Sequence, residues 1–200
     1  MKYQYQSEPT IDNRDNDVFD NMVELYYQTQ GYITSVGKAF TVYRPKREGE
    51  FGCSIRMLAI NEEETVIVFP YIDLTHYVKW DKKGNLKMET LKYFDFLFQT
   101  TEGYLRKVQP YRWLAKRTIR RTIVLLWPAK QPVVNNNFIK CMKKRGVEVL
   151  TGRTITEQLI KYASADNSDF RDSQALQLIS MLSRMGFINT DSKPVDISMI

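Results

Sequence analysis

Apolar positions along this chain change period several times, and each change marks an element. In residues 17–30, Phe19, Met22, Val23, Tyr26 and Tyr27 recur at three- and four-residue spacing, the stripe of an amphipathic helix. Asp17 and Asp20 favour the positive end of its dipole, and Gly31 stands where a stop belongs. Residues 32–44 then read as an extended strand, bent at Gly37. A charged loop follows over 45–52. SIRMLAI (54–60) and TVIVFPY (65–71) are short apolar runs split by an acidic connector, the pattern of a hairpin.

The turn DKKGN precedes a second helical stretch, with Leu86, Leu91, Phe94, Leu97 and Phe98 on its apolar side. A further helix is expected over 101–116, interrupted at Pro110. RTIVLLW (121–127) is a near-continuous apolar run, suited to a strand covered on both faces. A helix over 137–145 ends at Gly146, and a strand follows over 147–150. A helix over 154–163 opens on a capping-box pattern, Thr154 with Glu157. Strand, helix, strand, helix implies a parallel βαβ crossover. After a polar break at 166–168, Phe170, Leu176, Ile179 and Leu182 mark a last amphipathic helix. The expected fold class is therefore α/β, a mixed central β-sheet flanked by helices. The expected divisions are an irregular lead-in (1–16), a core (17–165), and a C-terminal helix and tail (166–200).

A chain of 200 residues with 43% hydrophobic and 12% aromatic content can bury a sizeable core. It has no apolar run long enough to span a membrane, and its polar start lacks the apolar segment of a secretory signal. Cys53 and Cys141 stand far apart, outside any CxxC pair, and His76 is the lone histidine, so no zinc framework is expected. Two small buried thiols suit a reducing, cytoplasmic location. Neither a P-loop nor a GxGxxG fingerprint is present. The aromatic stripe Phe94, Phe96, Phe98 reads as core ahead of stacking platform.

Charge changes the picture most. The net charge is +6, yet from Gly103 to Val147 there is no Asp or Glu at all. That run holds Arg112, Lys116, Arg117, Arg120, Arg121, Lys140, Lys143, Lys144 and Arg145, interleaved with Tyr104, Tyr111 and Trp113. Clustered cations displace the counterions condensed on a phosphate backbone. Nucleic acid, with DNA as the leading form, is thus the expected partner. An acidic protein, an anionic membrane surface or a merely solvated face are the competing readings. Helical spacing would set Arg112, Lys116 and Arg120 in one row and Arg117 beside Arg121.

The order of elements, with VELYYQTQGYITS, SIRMLAI, and RTIVLLWPA running on to KKRGVEVLTGRTITEQL, resembles the restriction-endonuclease-like, or PD-(D/E)XK, nuclease superfamily. The resemblance spans most of residues 18–163. It implies a nuclease scaffold acting on nucleic acid with Mg²⁺. The family's acidic positions are not kept, however. Arg56 stands where the second strand would carry Asp, and Phe69, Pro70 and Tyr71 stand where the next would carry an acid, a spacer and Lys. Hard Mg²⁺ wants carboxylate oxygens and waters, and an Arg at a ligand position repels it. Three expectations follow. In the first, Arg56 fills the metal position and the protein binds nucleic acid without cleaving it, with no cofactor, alone or as a subunit of a DNA-processing complex. In the second, relocated Glu24, Glu50 and Asp73 hold Mg²⁺ for phosphodiester hydrolysis, with Lys79 completing the site. A protein-interaction module with an acidic partner, or a homodimer, is the third.

Overall fold

Every strand lies next to its neighbour in sequence. The computed structural model describes residues 3–4, 17–43, 50–73, 78–109, 111–127, 132–164 and 173–184. In chain order the elements are β1 (Tyr3–Gln4), α1 (Asp17–Gln28), β2 (Ile33–Tyr43), β3 (Glu50–Ile60), β4 (Glu64–Asp73), α2 (Met88–Lys107), a 3-10 turn (Leu114–Lys116), β5 (Thr118–Trp127), α3 (Pro132–Lys143), β6 (Val147–Thr151), α4 (Gly152–Ser164) and α5 (Gln174–Arg184). The sheet runs β1-β2-β3-β4-β5-β6. Pairing is antiparallel from β1 to β4 and parallel from β4 to β6. It is a mixed α/β fold, as the alternating pattern predicts.

Helices cover both faces. On one, Phe94, Phe98, Tyr104 and Leu105 of α2 and Phe138 and Met142 of α3 pack on Ile67, Phe69, Ile123 and Leu125. On the other, Phe19, Val23 and Tyr27 of α1 and Ile155, Leu159 and Ala163 of α4 pack on Val66, Val68 and Val124. Neighbouring residues of β4 and β5 thus enter opposite cores. Two-sided burial is why TVIVFPY and RTIVLLW are continuous apolar runs. Aromatic contacts stiffen the α2 side. Phe40 stacks on Tyr104 at 4.3 Å, and Phe69 meets Phe98 edge-on at 5.1 Å.

Local chemistry sets several boundaries. After α1 the chain turns at Gly31 (φ 82). Tyr32 N–H reaches back to the Tyr27 carbonyl and Gly31 N–H to that of Gln28, a Schellman closure. Asp81 Oδ1 accepts from the Lys83 and Asn85 amides, fixing the DKKGN turn. The bonds from the Asn85 amide and side chain, and then that from the Lys83 amide, hold its carboxyl below the usual range.

Elsewhere the expectations need correcting. One continuous helix, α2, replaces the two expected over 86–116. Past Lys107 the helical pattern gives way to turns and the short 3-10 segment, as the pre-proline position disfavours helix. The cap of α4 is Thr151, whose Oγ1 accepts the Thr154 amide at 3.1 Å. Glu157 instead accepts from Arg153 at 2.6 Å. Within the supposed irregular lead-in, Tyr3–Gln4 pairs with Thr41 and Val42 as an edge strand. α5 inserts Leu176 into the α1/α4 core. The expected polar break at 166–168 lies outside the described residues.

Candidate nucleic-acid interface

Two connections deliver the basic residues to one end of the sheet. The 3-10 turn runs directly into β5, and the end of α3 runs through Gly146 (φ 70) into β6. β5 and β6 are parallel neighbours with Arg121 opposite Val147. Lys143 and Lys144 therefore come alongside the entry to β5, where Arg112, Lys116 and Arg117 lie. Arg112, Lys116, Lys140, Lys143 and Lys144 are all exposed. The lysines closing α3 also oppose the negative end of its dipole.

The other candidates are half-buried and tied to partners within the fold, and no helical row connects them. Arg120 and Arg121 are strand residues, so they project from opposite faces. Arg120 faces the α1 side, where Nη2 lies 2.9 Å from Glu64 Oε1 and Nη1 lies 2.9 Å from Glu148 Oε2. Its Nη2 also donates to Tyr32 Oη at 3.1 Å, and Tyr32 donates to Glu64 at 2.5 Å. Burial of the guanidinium works against its charge. Glu148 and Glu64 outweigh that and raise its pKa above the ordinary arginine value. Burial, then the Glu64 bond, raises that of Tyr32. Beneath the cluster Tyr27 is buried, which pushes its hydroxyl well above the usual tyrosine range against the opposing pull of Thr122 and Arg120.

Arg121 faces α2, where Nε donates to Glu102 at 2.5 Å beside the Phe98 ring. Arg145 pairs with Asp95 of α2. Arg117 donates to the Asn61 carbonyl and lies over Trp113 with its guanidinium carbon 5.2 Å from the ring centroid. The acid-free run thus finds its carboxylates outside itself, from Glu64, Asp95, Glu102 and Glu148. Charge patterning missed these partners because they are distant in sequence. Tyr104 and Tyr111, 5.7 Å apart, join the α2-side core, as do Phe94 and Phe98. Trp113 stays exposed.

The relocated carboxylates are not brought together. Glu24 on α1 accepts from Thr34 Oγ1 at 2.5 Å. Thr34 pairs with Ala59 and Ala59 with Val66, so Glu24 sits level with the start of β4. Asp73 closes β4, about 20 Å further along at ~3.3 Å per residue. Glu50 opens β3, opposite Tyr43, at the far end from Glu24. Lys79 is exposed and pairs with Glu89 at 3.0 Å. Among the described residues no group of three His, Cys, Asp or Glu side chains is placed to hold a metal ion. His76 falls outside the described residues. Cys53 and Cys141 are half-buried.

Arg56 points at α1, where its Nη2 lies 3.3 Å from Asp20 Oδ2. The helix acid facing position 56 is therefore Asp20, one turn before Glu24. Arg56 and Gly37 fall between the paired residues Val36–Met57 and Lys38–Ile55. The strands change face there. Met57 and Ala59 enter the α1 core, while Cys53 and Ile55 pack on the α2 side. Gly37 carries this bend with φ 73.

The arrangement defines a three-layer α/β domain with a basic end. Its chain matches no protein-family model and no curated protein sequence. Among solved structures, protein VC1899 from Vibrio cholerae is similar at 11% identity and a TM-score of 0.40, over 76% of this chain and 36% of that one. The chain thus spans little more than a third of that protein's length. Among the described residues no helix is long and apolar enough to cross a membrane.

Proposed function

We propose that this protein binds nucleic acid, without strong sequence preference, through the basic end of its sheet. Arg112, Lys116, Lys140, Lys143 and Lys144 would contact phosphates there. Arg120, Arg121 and Arg145 hold the surrounding elements together, and Arg117 fixes the turn that carries Arg112. The observation that carries the reading is the exposure of these cations where two adjacent parallel strands begin, with their paired neighbours excluded. Phosphate contacts of this kind position a ligand without reading bases. The nuclease-like order of elements, with Arg56 ion-paired to Asp20 in place of an acid, favours binding without metal-dependent cleavage. The distance between Glu24 and Asp73 argues the same way.

Gel shifts on duplex and single-stranded DNA and RNA across a salt series test this. Binding that weakens steeply with salt, with substrate left intact in both Mg²⁺ and chelator, is expected. No affinity for any of them at low salt would refute it. Chelator-sensitive cleavage would restore the enzyme reading, and co-purification with an acidic protein in place of nucleic acid would favour an interaction module.

A further inference from the structure

We propose that Trp113 is a stacking platform for an unpaired base, so that the ligand of the basic end is single-stranded nucleic acid. This deepens the reading above and rests on it. Trp113 lies in the turn entering the 3-10 segment and is 51% exposed, although the adjoining Leu114 is buried. Among the described residues it is the one aromatic side chain in the set of exposed large apolar groups. Leaving an indole in water forgoes the gain of burying it, and here the ring is also held in place. Arg117 stacks over it at 5.2 Å and is itself tied to the Asn61 carbonyl in the β3–β4 connection. The ring is thus preorganised by an anchored cation.

The surroundings select the ligand. Arg112 precedes the indole and Lys116 follows it, both exposed. The parallel register of β5 and β6 puts the end of α3, with exposed Lys143 and Lys144, at the same end of the sheet. A flat π surface at the sheet end that also carries exposed cations fits a molecule that alternates bases with phosphates. A duplex offers this end its phosphates but keeps base faces stacked on one another. A single strand offers both, because an unstacked base can lie on an aromatic ring whatever its identity.

The test uses the full chain and labelled oligothymidine, oligouridine and a duplex of equal length at low salt, read by anisotropy. Wild type is expected to prefer the single strands, and preference for either sugar fits the proposal. Trp113→Phe keeps a stacking ring and should hold affinity within about three-fold. Trp113→Leu keeps apolar bulk without a π face. It should lose about ten-fold on single strands and stay unchanged on duplex. Quenching of tryptophan emission on binding should vanish in Trp113→Phe, where Trp80 and Trp127 remain. Single-strand affinity unchanged in Trp113→Leu would overturn the proposal, as would a wild-type preference for duplex. Failure of wild type to bind any of the three overturns the basic-end reading and this one with it. Because Trp113 is half exposed, both variants should give the wild-type circular dichroism spectrum.

Discussion

Arg120 shows how a residue that looks like a ligand contact can instead be internal. It bridges Glu64 at the start of β4 and Glu148 near the start of β6, with Tyr32 closing the cluster. Removing the cation leaves half-buried Glu64 and exposed Glu148 without the positive charge between them. Arg120→Met should therefore destabilise the fold by about 1–3 kcal/mol, between the values for exposed and fully buried pairs. In urea melts, combining it with Glu148→Gln should cost less than the sum of the single changes, because the repulsion is relieved. Additive losses would mean that the bridge is not formed. Tyr27 beneath it adds a pH signature. Its folded pKa is raised above the ordinary value near 10, chiefly by burial. Folded and unfolded states are both protonated below that value, so the contribution is fully present there. As pH rises past about 10 the unfolded chain ionises first, and stability falls by up to about 1.4 kcal/mol per unit for one such group. Alkaline unfolding should be shallower in Tyr27→Phe than in wild type. Identical pH slopes would show that Tyr27 does not carry the effect.

At the level of elements, Gly37 has the clearest expected cost. An added Cβ meets nothing within 4 Å there, so the penalty of Gly37→Ala is conformational. Its positive φ should make the substitution destabilising by about 1–2 kcal/mol. Differential scanning calorimetry reads this directly, and an unchanged Tm would show that the bend tolerates a side chain. Much of the rest was legible in the pattern. The stripe of α1, its stop at Gly31, the hairpin, and the buried runs of β4 and β5 follow from periodicity and turn chemistry. What escaped was decided by tertiary contact. The helical stripe of α2 continues through Tyr104 and Leu105 because they reach the same core as Phe94 and Phe98, which no local break signal could reveal. Thr154 and Glu157 have capping-box spacing, yet Thr151 one turn earlier takes the cap, because β6 ends there. The candidate site divided in the same way. Arg112 and Lys116 were readable as exposed cations, whereas Arg121 and Arg145 pair with acids on α2 that only the fold brings near.

Across the whole molecule, charge is sorted by depth. Arginines near the sheet are paired to carboxylates, while exposed lysines ring the end where β5 and β6 begin. The two groups should answer different experiments. Each phosphate contact removed lowers the slope of log affinity against log salt by roughly 0.7–0.9. A variant carrying Lys140→Ala, Lys143→Ala and Lys144→Ala should therefore bind more weakly, with a slope shallower by roughly 2–3 and near-wild-type stability. A variant carrying Arg121→Ala and Arg145→Ala should do the reverse. Its salt slope should match wild type, because those guanidiniums already answer Glu102 and Asp95, and its unfolding midpoint should drop. If the arginine pair flattened the salt slope and the lysines did not, the phosphates would lie against α2 and the sheet, not at the strand entries. The basic run would then have to open its ion pairs to bind, and binding would carry the cost of breaking them.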